Sequence, residues 1–501
     1  MKKRSPLVDT SSLRWVKEHR ETLRSVESFP YGEEISSVMV SPVYTCGPGE
    51  SVARAAREMA RRRVSSVVVV GEGGEPLGIL TEGDVLRRIV AEGGRDASSM
   101  KVAEIMSPSP ATLSPRDTIY RALSVLSSRG VKHLPLVEGV KVAGIVTLRQ
   151  MLRLRHPEPT LLIGRVQEAR SPADLKALLG EMAGVASAKL AAGIGAFDVS
   201  VMLSLINRDV HRRAFEMSVE LAGEPPAEAC LFVTGSHGRM ENLLSTDQDH
   251  GMIIAGDGEG HDAYFMELGR TFSEMLLEIG YAWCPGYVMS ANPTWRKTVP
   301  EWKRQIDYWF DRQMPGLARY VTVFFDASPL LGSEALFREV DGFARGLLSE
   351  HHEVLRVLHE EEGRHRVPTG LLGRFITEKE GEHKGELNIK RSGLIFVVEA
   401  VRILALMRGV RETSTVKRIA ALVEGGFIHP DDGEYYEAAF RSLLHFALSA
   451  EVEKALAGAE PDTYVRPSGL SPRQKELLRH AYRAVSSLQD LVAQEFGELV
   501  I

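Results

Sequence analysis

The feature that most restricts what this chain can fold into is an internal repeat: residues 35 to 90 and 102 to 155 follow the same order of segments. Each copy opens on an "SP" turn and an extended segment, then a helix with apolar residues at a period near 3.6. An apolar run follows, "VSSVVVV" in one copy and "VKHLPLV" in the other, then a hairpin-like turn and "GILT" or "GIVT". The order reads as βαββα, twice. That pair occupies roughly a quarter of 501 residues, and a chain this long, 44% hydrophobic and 26% charged, exceeds a single core, so several domains are expected.

The phrases "MVSP", "PLGILTEGDVL" and "VAGIVTLRQML" resemble a pair of CBS domains. The resemblance implies binding of an adenine nucleotide (AMP, ADP or ATP) through a signature of glycine, a hydroxyl residue and an acid. In that signature the hydroxyl bonds phosphate at a helix start and the acid accepts both ribose hydroxyls. The first copy carries it complete, as Gly78, Thr81 and Asp84. The second keeps Gly144 and Thr147 but has Gln150 in place of the acid, so one good nucleotide site is expected. CBS pairs commonly stack, which implies a homodimer, and a purely structural or dimerising pair is the competing reading.

The rest divides by pattern. Residues 1–34 read as an N-terminal helical segment, 35–155 as the CBS pair and 156–222 as a helical connector with a Ser-Pro cap in "SPADLKALLGEMAGVASAKL". Residues 223–345 alternate strands and helices, and 346–501 read as a helical domain with long amphipathic runs. The fold class expected is α+β and multidomain. A net charge of −6 argues against nucleic acid as a generic partner. Three separated cysteines, Cys46, Cys230 and Cys284, and the lack of a membrane-length apolar run point to a cytoplasmic protein with reduced thiols.

The chemistry concentrates in "GSHGRMENLLSTDQD", residues 235–249, set between the apolar runs "ACLFVT" and "GMIIA". On an extended strand residues two apart share a face, so Asp247 and Asp249 project together while Gln248 and His250 face away. Paired carboxylates repel unless a cation lies between them, and Mg²⁺ is bound by one or two carboxylates plus substrate phosphates. Gly235 and Gly238 permit close backbone approach, Ser236 offers a hydroxyl, and Arg239 either takes a phosphate oxygen or serves the surface.

A Gly-Ser turn followed by D-x-D resembles the nucleotidyltransferase superfamily of polymerase β, aminoglycoside nucleotidyltransferases and protein-PII uridylyltransferase. With "CPGYVMSANPTWRKTVPEW" and "LNIKRSGLIFVVEAVRILAL", the chain more closely resembles nucleotidyltransferases fused to CBS pairs. The resemblance implies a polymerase β-like domain and three carboxylates holding metal and NTP. The third is placed at Asp326, ending the β-rich run "YVTVFFDAS", with Asp307 and Asp311 as helical alternatives. Relatives tend to read D-x-R there, whereas this chain has Ser328. Lys390 and Arg391 face either the cleft or solvent. His351, His352 and His359 lack metal spacing, His261–Asp262 lacks partners for a phosphohydrolase, and "CPGYVMSANPTW" reads as cleft wall.

The resulting expectation is a Mg²⁺-dependent nucleotidyltransferase that passes a nucleoside monophosphate, uridylyl by default, from an NTP to an acceptor such as a PII-like protein. Adenine nucleotide on the CBS pair would set its output. The alternative is a nucleotide-sensing binding protein whose transferase domain has degenerated, favoured by Ser328 and Gln150. A small-molecule acceptor is a third option.

Overall fold

The computed structural model describes residues 32–91, 96–148, 151, 158–256, 261–312, 315–351, 353–362, 366–370 and 373–498. The N-terminal segment expected over 1–34 lies outside these except for its last three residues, and so does Gln150. The chain is mixed α+β and divides after Glu168 into two compact units.

The smaller unit is built from the repeat. Its first copy holds β1 (Thr45–Cys46), α1 (Val52–Arg62), β2 (Ser66–Val70), β3 (Pro76–Thr81) and α2 (Glu82–Val85). Ser51 caps α1 by accepting from the Arg54 amide, and Val52, Ala55 and Met59 on one face of that helix pack with Val67, Val69 and Leu80. After α3 (Val102–Ile105) and β4 (Ser107–Pro108), the second copy supplies α4 (Ile119–Ser128), β5 (His133–Glu138) and β6 (Lys141–Thr147). Helix α5 (Glu158–Glu168) packs on α4.

The copies exchange their leading segments. Strand β4, which opens the second copy, pairs antiparallel with β3 of the first, and Val40 of the first copy bridges Ile145 of β6. This gives the two matching glycines a packing role. A Cβ at Gly78 would lie 2.4 Å from Met106 Sδ, and one at Gly144 would lie 2.8 Å from Met39 Sδ. Gly78 thus lies under the other copy's methionine.

The larger unit begins with α6 (Pro172–Ala191) and α7 (Ala196–Ala222). The expected connector is therefore split. Its first helix, α5, packs in the smaller unit, while α7 buries residues such as Val199, Leu203, Ile206 and Val210 inside the larger one. Then come β7 (Ala229–Val233), α8 (Gly235–Arg239), β8 (Asp247–Gln248), β9 (His250–Ile254), α9 (Asp262–Ile279), β10 (Ala282–Trp283) and β11 (Arg296–Thr298). They are followed by α10 (Val299–Arg312), α11 (Pro315–Phe324), β12 (Ser328–Gly332) and α12 (Glu334–Glu350). Strands order β11-β9-β7-β12, with β11 and β9 parallel and the other pairs antiparallel. Strand β7 and Met252–Ile254 of β9 are continuous apolar runs because both faces of the sheet are covered, and Phe232 sits among Trp295, Trp302, Phe324 and Phe337.

"YVTVFFDAS" is not β-rich. It is helical to Phe324, because its buried residues Val321, Phe324 and Phe325 recur at helical spacing, and tertiary burial overrides β-propensity. The C-terminal part adds α13 (Glu353–Glu362), β13 (Leu387–Asn388), α14 (Ile395–Met407), α15 (Thr415–Glu424), α16 (Pro430–Leu456), β14 (Tyr464–Val465) and α17 (Pro472–Glu498). No helix among the described residues is long and apolar enough to cross a membrane.

Candidate functional site

Asp247 opens β8 and Asp249 follows it, just before β9. The strand alternation holds: Gln248 turns inward, donating to the Ser273 and Tyr281 carbonyls and pairing with His250 Nε2 at 3.1 Å. The opposite face carries the acids. Asp247, Asp249 and Cys284 each present a ligand atom within 4.8 Å of one another. Cys284 arrives because β10 runs parallel to β8 with Ala282 opposite Asp247, which puts residue 284 on the acids' side.

The electrostatics follow from that crowding. Burial, then the Asp247 charge, raises the Asp249 carboxyl to about 7, while the Cys284 thiol lowers it by hydrogen bonding. Burial and Asp249 push the thiol itself up to about 12, so it stays protonated and donates to Asp249. Two half-buried carboxylates this close, with a proton favoured on Asp249, fit a hard divalent cation that would relieve their repulsion.

The Gly-Ser turn is built against these acids. Gly235 has φ +59°, and a Cβ on it would lie 2.5 Å from Asp249 Oδ2. Ser236 Oγ, Asn242 Nδ2 and Thr246 Oγ1 form a polar trio, with Asn242 donating to Thr246 at 3.1 Å and to Ser236 at 3.4 Å. Gly238 approaches protein rather than a ligand, since its Cβ would fall 1.9 Å from the Asp326 carbonyl oxygen.

Asp326 does not join the other two acids. It is fully buried; Oδ2 accepts from Arg239 (2.6 Å) and Arg402 (2.8 Å), and Oδ1 accepts from Arg418 (2.7 Å). Burial alone would raise its carboxyl, but Arg418, Arg402 and Arg239 together hold it below the usual carboxylate range. With both oxygens held by guanidinium groups, Asp326 is a structural anion and not a third metal ligand. Arg239 is likewise spent: Nε donates to Glu241 at 2.9 Å while another nitrogen serves Asp326, so the expected phosphate contact is not where its charge goes. Glu241 also accepts from the Thr415 amide and hydroxyl. Ser328 Oγ accepts from Arg208 on α7 (2.7 Å), which also donates to the Pro329 carbonyl (2.8 Å). Asp307 and Asp311 lie on α10, as read.

Several groups escaped the sequence reading. Arg402 and Arg418 lie in two separate helices of the C-terminal part, and nothing in their spacing ties them to Asp326. On α16, Glu451 accepts from the Leu244 and Ser245 amides (2.7 and 3.3 Å), and burial pushes it up to about 7 against those bonds. His211, His237 and His250 form a buried group behind the turn, and burial first of all keeps them neutral, His211 at about 4. The one legible signal was "GSHGRMEN", which sets His237, Arg239 and Glu241 on alternate residues.

In the smaller unit Thr81 and Asp84 form a reciprocal cap on α2. Thr81 Oγ1 donates to Asp84 Oδ2 at 2.6 Å, and the Thr81 and Asp84 amides donate to each other's side chains. Thr147 ends β6 opposite His133.

Comparison with known proteins agrees with this division. The family "CBS domain" matches residues 35–91 and 102–156, "Putative nucleotidyltransferase DUF294" matches 180–316, and "Putative nucleotidyltransferase substrate binding domain" matches 352–496. The chain belongs to the family that joins CBS domains to this nucleotidyltransferase domain and its substrate-binding domain. An uncharacterized protein of Methanopyrus kandleri is 30% identical over 129 residues, 26% of this chain and 64% of that protein. A mitochondrial CBS domain-containing protein of Arabidopsis thaliana, CBSX3, is 30% identical over 112 residues, 22% of this chain and 54% of that one. The chain thus spans about half to two thirds of the length of these two relatives. Among solved structures, an uncharacterized conserved protein from Pyrococcus horikoshii is 26% identical with a TM-score of 0.24, covering 25% of this chain and 96% of its own. CBSX2, solved in complex with AMP, is 21% identical with a TM-score of 0.23, covering 24% and 95%.

Proposed function

We propose that the larger unit is a nucleotidyltransferase that moves a nucleoside monophosphate from an NTP to an acceptor hydroxyl and releases pyrophosphate. The observation that carries this reading is the convergence of Asp247 and Asp249 beside a Gly-Ser turn whose Gly235 leaves no room for a side chain next to Asp249. Asp247 and Asp249 would hold Mg²⁺, which when bound supplies charge neutralisation at the α-phosphate. Ser236 and Thr246, held by Asn242, offer hydroxyls beside that position, and Gly235 keeps the turn close to it. Uridylyl transfer to a PII-like protein is the default by family resemblance. On the CBS pair, Thr81 and Asp84 would exchange their mutual cap for phosphate and ribose of an adenine nucleotide, and the bound nucleotide would set transferase output.

A second reading has one observation behind it. Asp326 is committed to three arginines, leaving two carboxylates where the superfamily uses three, which favours a nucleotide-sensing protein without transfer activity. Incubation with each α-labelled NTP, Mg²⁺ and cell extract separates the two. Transfer predicts metal-dependent labelling of an acceptor that Asp247→Asn and Asp249→Asn reduce by at least about 100-fold. Absence of labelling with all four NTPs would favour the sensor.

A further inference from the structure

The cleft between the Gly-Ser turn and the C-terminal helices is lined on one side by Ser236, Arg239 and Thr246 and on the other by Lys390 and Leu394. Arg239 and Lys390 are the cations among its described lining residues, and Arg239 is engaged by Asp326 and Glu241. Lys390 is different. Its side chain is exposed, and among the described residues it forms no ion pair.

The backbone that carries it is held on both sides. Strand β13 pairs with β14, the Ile389 amide donates to the Thr463 carbonyl at 3.1 Å, and Asn388 Oδ1 accepts from the Arg391 amide (2.9 Å) and Thr463 Oγ1 (3.0 Å). Residues Lys390–Leu394 then form a wide π-helical turn at the head of α14, a local irregularity frequent at functional sites. From that position Lys390 shares the cleft with Ser236 and Thr246, and the turn that carries Ser236 abuts Asp249 at Gly235. A fixed backbone that presents an unpaired ammonium to the cleft beside the Gly-Ser turn is the arrangement a polyanion needs.

We propose that Lys390 binds the β- and γ-phosphates of the nucleoside triphosphate whose α-phosphate lies at Asp247 and Asp249, so that the C-terminal domain supplies the cation for the leaving group. This rests on the transferase reading. In the transfer the acceptor oxygen bonds the α-phosphorus and its proton passes to solvent. The α–β bridging P–O bond breaks, its electron pair stays with pyrophosphate, and Lys390 meets the charge that develops there.

Calorimetric titration of the full chain with Mg²⁺ and each of the four NTPs, the matching monophosphates, and pyrophosphate tests this. A charged hydrogen bond of this kind corresponds to roughly 10- to 100-fold in affinity. Lys390→Met should weaken triphosphate and pyrophosphate binding by that factor and leave monophosphate binding within about twofold of wild type. Lys390→Arg should restore most of it, and the melting temperature should not move because Lys390 is exposed and unpaired. Triphosphate binding by Lys390→Met equal to wild type, or an equal loss for monophosphate, overturns the proposal. If Asp249→Asn still abolishes triphosphate binding in that case, the transferase reading survives. No Mg²⁺-dependent NTP binding by wild type would sink both.

Discussion

Asp249 carries the electrostatic strain of the site. Its carboxyl is raised to about 7 by burial and by Asp247, so below that pH a proton occupies the place a cation must take. Metal-dependent NTP binding should therefore weaken by up to about tenfold per pH unit as pH falls below about 7, and level off above it. Titrations between pH 5.5 and 8.5 check this, and an affinity that stays constant across that range would count against it. The pairing of Asp247 with Asp249 was legible because a strand's two-residue alternation is a local property. Cys284 was not, since its approach depends on β10 lying in register with β8 across an intervening helix.

At the scale of elements, the network around Asp326 joins α8 and the end of α11 to α14 and α15 through Arg239, Arg402, Arg418 and Glu241. Its residues come from four separate stretches of chain, which is why motif reading assigned Asp326 to metal and Arg239 to phosphate. Asp326→Asn leaves buried guanidinium groups without their counter-charge and should cost about 3–5 kcal/mol of stability, read from a denaturant midpoint. Unchanged stability with loss of metal-dependent binding would return Asp326 to the metal site. The same distinction between local and long-range signals explains the repeat. The βαββα order was legible from periodicity, whereas the exchange of leading segments was not, and that exchange gives Gly78 and Gly144 their purpose under Met106 and Met39. The helix in "YVTVFF" was misread because β-branched and aromatic residues favour strands until burial at helical spacing decides otherwise.

Across the whole molecule, the division after Glu168 separates the repeat from a larger unit in which helices, sheet and C-terminal domain pack together. Within the larger unit the acids, the Gly-Ser turn and Lys390 come from regions as much as 155 positions apart in sequence, so the cleft exists only when the transferase and C-terminal parts fold together. The central claim is that Asp247 and Asp249 hold a divalent cation together with a nucleotide tail. Electron paramagnetic resonance of Mn²⁺ titrated into the full chain, with and without NTP, tests it most directly. The account predicts NTP-enhanced Mn²⁺ uptake by wild type that disappears in the Asp247→Asn, Asp249→Asn double variant. Equal uptake by both proteins, or none by wild type, would contradict it.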